Sequence, residues 1–175
     1  VVDVTFDKRA DNTIRRLWRS LAKHGFDVSR QTADRPHLTM FVASDGDPTA
    51  IGNRLAEVEW VDIPRVEFGS VGYFRDPGRV LYLAATPTAE ILDLHAQIWR
   101  IVTSLAPTQS PYYQPRMWTP HCTLALGVPT SDLGKAVEAL DGLPTLIEAQ
   151  ILQIRAHAWE DDSSWVSPMI NAGTV

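Results

Sequence analysis

The chain has 175 residues, 45% hydrophobic and 21% charged, a composition neither disordered nor fibrous and sufficient for one ordinary domain. With 16 Lys and Arg against 21 Asp and Glu, the net charge of −5 excludes a protein that coats long nucleic acid by general electrostatics, while leaving open a small anion in a local basic pocket. The single cysteine excludes an internal disulfide or a cysteine-rich zinc site, no apolar run approaches the roughly 20 residues that span a bilayer, and no charged-then-apolar leader stands at Val1, so the expectation is a cytoplasmic protein.

In chain order, VVDVTF alternates as a strand, and ADNTIRRLWRSLAKHG follows as a helix with Ile14, Leu17, Trp18 and Leu21 at helical spacing and Gly25 as its stop. RPHLTMFVA reads as a strand. DPTAIGNRLAEVE reads as a helix capped by Asp47 with Pro48 at its first position, and IPRVEFGSVGYF as an extended run closed by the turn RDPGR. The same order then restarts. RVLYLAAT is a strand, and TAEILDLHAQIWRIVTSLA a long helix with Ile91, Leu94, Ile98 and Val102 on one face; PTQSPYYQPRMW is a proline-rich loop. TPHCTLALG is a strand, TSDLGKAVEALDG a helix with a capping residue at its start, and TLIEAQILQIRAHAW a long final strand.

Both halves thus read β-α-β-α-β. His37 and His121 lie 84 positions apart, and the same spacing carries Asp47-Pro48 onto Ser131-Asp132 and Gly72-Tyr73-Phe74 onto Ala156-His157-Ala158. This is an internal duplication. The expected fold is α+β, two antiparallel-sheet lobes with outer helices around a central cleft. Its expected organisation is one bilobal domain over 1–175, with lobe one about 1–76 and lobe two about 77–175.

The duplicated segment that stands out is Pro-His-x-Thr, at Pro36–Thr39 and Pro120–Thr123. In a strand, residues i and i+2 share a face, so each copy presents one imidazole and one hydroxyl to one side, backed by Leu38 and Met40 or by Cys122 and Leu124 on the other. Across a pseudo-two-fold cleft, two such pairs suit in-line displacement at phosphorus. One histidine takes a proton on the attacking side, the other gives one on the leaving side, and Thr39 and Thr123 hold the non-bridging oxygens. The arrangement requires no metal or cofactor. One His-x-Thr in a strand means little; two in matching frames are harder to assign to packing, since β-branched apolar residues would serve a strand better.

His24, near a helix end, His95, inside a helix, and His157, without a threonine two residues on, read as structural, as do Trp159 and Trp165. Candidate substrate contacts are Tyr112, Tyr113, Arg116 and Trp118 before the second motif, Tyr73, Phe74 and Arg75 at the end of the first half, and Arg35 before the first motif. Taken singly, each aromatic also reads as cover for the core edge and each arginine as a solvated charge.

The paired PHLTM and PHCTL in a duplicated unit of this length resemble the two-histidine phosphoesterase superfamily, whose bacterial members are often labelled 2'-5' RNA ligase-like; the resemblance covers essentially the whole chain. It implies a bilobal, metal-independent enzyme acting on 2',3'-cyclic phosphates or 2'-5' linkages at RNA ends, or on small cyclic nucleotides and ADP-ribose cyclic phosphates. Its motif residues fall on His37, Thr39, His121 and Thr123. RNA-processing members commonly carry an aromatic residue shortly after the first motif and an arginine shortly after the second; here those places hold Val42, with Phe41 adjacent, and Leu126.

The leading expectation is a phosphodiesterase that opens a cyclic phosphodiester or cleaves or forms a 2'-5' linkage, a monomer whose partner is a small nucleotide or an RNA end. The alternative is a binding module for nucleotides or RNA ends that keeps the fold without the chemistry. A third, a zinc hydrolase using His37, His121 and a carboxylate, lacks recognisable ligand spacing, with only Asp34 and Asp45 near the first motif.

Overall fold

A computed structural model describes residues 1–28, 34–142, 144, 146–158, 164–168 and 170. The elements run β1 (Val2–Phe6), α1 (Lys8–Lys23), β2 (His37–Phe41), α2 (Pro48–Ala56), β3 (Arg65–Phe74), β4 (Val80–Ala85), α3 (Ala89–Val102), β5 (His121–Ala125), α4 (Leu133–Glu138), β6 (Ile147–His157) and β7 (Ser164–Val166). The order β-α-β-α-β occurs twice, and the fold is α+β. Strand β7 was not expected from the sequence; Trp165 on it lies so close over Gly52 of α2 that a Cβ at Gly52 would overlap the indole. Trp159 lies outside the described residues.

Each helix starts where local chemistry directs. Asp7 accepts hydrogen bonds from the amides of Arg9 and Ala10, which begins α1 earlier than the apolar spacing alone suggests. Asp47 does the same for α2 through Thr49 and Ala50, with Pro48 in the first turn. The predicted apolar faces of α1 and α3 are buried. Helix α4 is shorter than predicted and has no side-chain cap, because Ser131 directs its hydroxyl to Asp132 and residues Thr130–Asp132 form a 3-10 turn.

The strands follow one antiparallel path, β2-β1-β6-β3-β4-β5, with β7 beside β6. One lobe is β2-β1-β6 and the other β5-β4-β3, so each half gives its last strand to the other. The lobes join where Arg65–Phe68 pairs with Ile147–Gln150.

The registers show how closely the halves match. The β1–β2 ladder shifts after Val2↔Phe41 and resumes at Asp3↔Thr39; the β4–β5 ladder shifts after Leu81↔Ala125 and resumes at Tyr82↔Thr123. On the other side, Asp3 faces Arg155 and Tyr82 faces Gly72. Tyr82 therefore occupies in one lobe the place of Asp3 in the other, and Gly72 the place of Arg155. The last strands are offset by 83 positions, one fewer than the histidines, so Gly72-Tyr73-Phe74 corresponds to Arg155-Ala156-His157. Val66 and Ala149, paired and also 83 apart, mark the pseudo-two-fold axis.

Val4, Phe6, Leu38, Met40, Phe68, Leu124, Ile151 and Ile154 belong to a single buried core, with Phe6 and Phe68 meeting edge to face at 5.5 Å between ring centres. No helix among the described residues is long and apolar enough to cross a membrane.

Candidate active site

The ends of the sheet path, β2 and β5, return to contact each other, which brings the two motif strands together. Both are edge strands whose outer carbonyls have no ladder partner, and two tryptophans supply the missing donors. Trp118 Nε1 donates to the Thr39 carbonyl at 2.9 Å, and Trp18 Nε1 to that of Thr123 at 3.1 Å. Trp118 is itself held by stacking on His95, ring centres 4.0 Å apart; burial pushes the His95 pKa down to about 4, so the ring packs as a neutral aromatic.

The two motif imidazoles are anchored alike. His37 Nδ1 lies 2.8 Å from the Arg35 carbonyl and His121 Nδ1 lies 2.7 Å from that of Thr119. A carbonyl only accepts, so each Nδ1 carries the proton and each Nε2 is left for proton transfer. Leu38, Met40, Cys122 and Leu124 are buried behind them as predicted. Burial pushes the Cys122 thiol up to about 12, which leaves no thiolate nucleophile there.

Around His121 the surroundings are aromatic. Phe74 meets it edge-on with centres 5.0 Å apart, Tyr82 lies at 5.2 Å, and Phe74 stacks on Tyr82 at 4.2 Å. Burial lowers the pKa of His121, the nearby charge of His37 lowers it further, and the Thr119 carbonyl opposes both. A cavity of about 420 Å³ opens against this face, walled by His121, Thr123, Phe74, Tyr112, Tyr113, Met117 and Trp118. Tyr113 also reaches the Thr39 side chain, linking the cavity to the first motif; burial raises its pKa.

Beneath His37 the surroundings are ionic. Asp3 is fully buried; Arg155 grips it through Nε at 2.7 Å and Nη2 at 2.9 Å, and His157 Nε2 reaches the same carboxylate at 2.8 Å. Arg155 also bonds Asp34 at 2.8 and 3.2 Å, and the Asp34 carboxylate lies 3.4 Å from His37 Nδ1. Burial alone would raise the Asp3 pKa, but the His157 hydrogen bond, the charge of His37 and the Arg155 guanidinium outweigh it and hold the group at about 2. Asp34 is lowered against the same burial penalty, chiefly by Arg155, and Arg155 is raised by Asp34 and Asp3 despite its own burial. Oxygens of Asp3 and Asp34 and a ring nitrogen of His37 fall within 4.8 Å of one another, but both carboxylates are already paired with Arg155.

Of the predicted contacts, Phe74, Tyr112, Tyr113 and Trp118 line the cavity. Arg75 and Arg116 are exposed and form no part of its wall. Arg35 turns its guanidinium toward Asp11 at 3.6 Å, and Tyr73 donates to the Val128 carbonyl. Trp165 packs against the core, and His24 ends α1 with its ring on the Ser20 carbonyl. Sequence reading did not single out Asp3, Arg155 or Tyr82, and it read His157 as structural; the structure sets His157 against the Asp3 carboxylate. The available signal was a lone acid inside an apolar strand, VVDVTF, and a lone arginine in another, ILQIRAHAW.

A duplicated α+β fold that brings two anchored imidazoles to adjoining edge strands is that of a two-histidine phosphoesterase. Residues 6–162 match the model of the 2'-5' RNA ligase superfamily, and the chain belongs to that family, which makes it a phosphodiesterase-type enzyme. No curated protein matches the chain. Among solved structures, Usb1 of Kluyveromyces marxianus is similar over 96% of this chain and 98% of its own, at 10% identity and a TM-score of 0.48.

Proposed function

We propose that the protein is a metal-independent phosphodiesterase, acting as a monomer, that opens a cyclic phosphodiester, either a small cyclic nucleotide or the 2',3'-cyclic phosphate of an RNA end, with cleavage or formation of a 2'-5' linkage as the same chemistry on a related bond. The observation that carries this reading is the matched anchoring of His37 and His121 through Nδ1, each with a threonine two residues on. One Nε2 accepts a proton from attacking water, the other donates to the leaving oxygen, and the hydroxyls of Thr39 and Thr123 bind the non-bridging oxygens. The aromatic wall of Phe74, Tyr112, Tyr113 and Trp118 suits a stacked base. That wall holds no Lys or Arg, which favours a ligand whose only charge is the phosphodiester over a long oligonucleotide.

The test is hydrolysis of a panel of 2',3'-cyclic nucleotides, with and without EDTA. Expected is turnover with a bell-shaped pH profile that chelator leaves unchanged, and a fall of about 10²- to 10⁴-fold for His37→Ala or His121→Ala. Saturable binding without turnover across the panel would mean a binding module instead.

A further inference from the structure

The duplicated site is asymmetric beneath its histidines. Where Tyr82 lies over Gly72 in one lobe, the other places a buried carboxylate, Asp3, against a guanidinium, Arg155. The strand pairing is satisfied both ways, so the fold does not demand the ions. A buried ion pair of this kind is no more stabilising than well-packed apolar residues of similar volume, so stability does not account for it.

Resting on the acid–base reading above, we propose that Asp3, Arg155 and Asp34 form a positioning relay that sets a carboxylate against the Nδ1 edge of His37. His37 is then the proton donor, and His121, ringed by Tyr82 and Phe74, the proton acceptor.

Three observations converge on the relay. Asp3 sits across the ladder from Thr39, on the strand beside the motif. Arg155 forks between Asp3 and Asp34 with four nitrogen–oxygen contacts of 2.7–3.2 Å, which fixes Asp34 in place. Asp34 in turn lies 3.4 Å from His37 Nδ1.

The charges that face His37 come from several elements. Asp3 lies on β1, Asp34 and Arg35 in the loop before β2, Arg155 and His157 on β6, and His121 on β5. From α1, Arg15 bonds the Asp34 carbonyl, while Asp11 takes up Arg15 at 2.6 Å and Arg35 at 3.6 Å. Asp34 is the carboxylate in contact with the ring, at 3.4 Å, and the Arg155 guanidinium that opposes it is shared with Asp3. Around His121 stand the rings of Phe74 and Tyr82; Asp76, the carboxylate in the same cavity wall, is exposed and pairs with no ring nitrogen among the described residues, and burial favours the neutral imidazole of His121.

The step balances. His121 Nε2 takes a proton from water as the water oxygen bonds to phosphorus, the ring P–O bond breaks, and its electron pair takes the Nε2 proton of His37. The products are a phosphomonoester and a free hydroxyl.

The test combines proton NMR titration of the histidine rings with hydrolysis of a 2',3'-cyclic nucleotide, in the wild type, Asp34→Asn and Arg155→Gln, with ring signals assigned through His37→Gln and His121→Gln. Asp34→Asn removes a negative charge, so the His37 midpoint is expected to fall by about one pH unit, equivalent to a tenfold change in its ionisation constant. The basic limb of the kcat profile follows it downward, with KM little changed. Arg155→Gln removes the cation and moves the His37 midpoint upward. A purely structural role would not produce shifts of opposite sign. If neither variant moves the His37 midpoint, or both move it the same way, the relay is refuted. Should Arg155→Gln fail to fold, Asp34→Asn decides alone, since Asp34 is only half-buried. If the ring titrations shift as expected but no cyclic nucleotide is turned over, the relay stands and the catalytic reading falls.

Discussion

Protonating Asp3 should cost the fold a definite amount. The carboxyl would ordinarily titrate at 3.8, and in the folded protein it does so at about 2. Because the folded value is the lower one, the stabilisation is fully present above about pH 4 and is lost as pH falls through the folded value. The difference corresponds to about 2 kcal/mol, of which about 1 kcal/mol has gone by pH 3. Asp3→Asn cannot ionise, and it also breaks a buried pair, which costs about 3–5 kcal/mol at neutral pH. Urea unfolding of wild type and Asp3→Asn at fixed ionic strength, at pH 6, 5, 4 and 3, isolates the Asp3 contribution from that of other carboxylates such as Asp34. The gap between the two proteins should narrow by about 1 kcal/mol between pH 6 and pH 3. A gap that stays constant over that range would refute the assignment of Asp3 as a strongly held buried anion.

Gly72→Ala forces a Cβ into the Tyr82 ring; the ring must leave its place beside His121, with an expected loss of about 1–3 kcal/mol in thermal unfolding and reduced turnover of cyclic nucleotide. Trp118→Phe removes the donor to the Thr39 carbonyl, leaving a buried acceptor unpaired at a cost of about 1–3 kcal/mol by urea titration. Gly52→Ala overlaps Trp165, and faster amide exchange in Ser164–Val166 is expected while exchange in β2 and β5 is unchanged.

Much of this was legible in the sequence because the information was local. Asp47-Pro48 fixed the start of α2, the spacing of Ile91, Leu94, Ile98 and Val102 fixed the buried side of α3, and the alternation around His37 and His121 fixed which side each ring takes. Helix α4 misled because Ser131 has a nearer partner in Asp132 than the helix amides. What was hidden depends on pairings between distant residues. Asp3 meets Arg155 and Tyr82 meets Gly72 only after the last strands cross over, and periodicity within one segment carries no trace of that exchange. The one-residue difference between the histidine offset and the final-strand offset arises in the connection between motif strand and last strand, 29 positions from His37 to Val66 against 28 from His121 to Ala149, and shows only once Val66 and Ala149 are seen to pair.

The exchange of final strands also constrains assembly during synthesis. Strand β1 ends up in the interior of the sheet, with Val2 against Ala156, so its β6 neighbour is complete only after more than 150 further residues have been made. Until then the nascent first half carries the unpaired edges of both β1 and β3, and a second nascent copy could supply the missing β6 in trans. Intertwined dimers are therefore the characteristic misassembly to look for when this protein is overproduced.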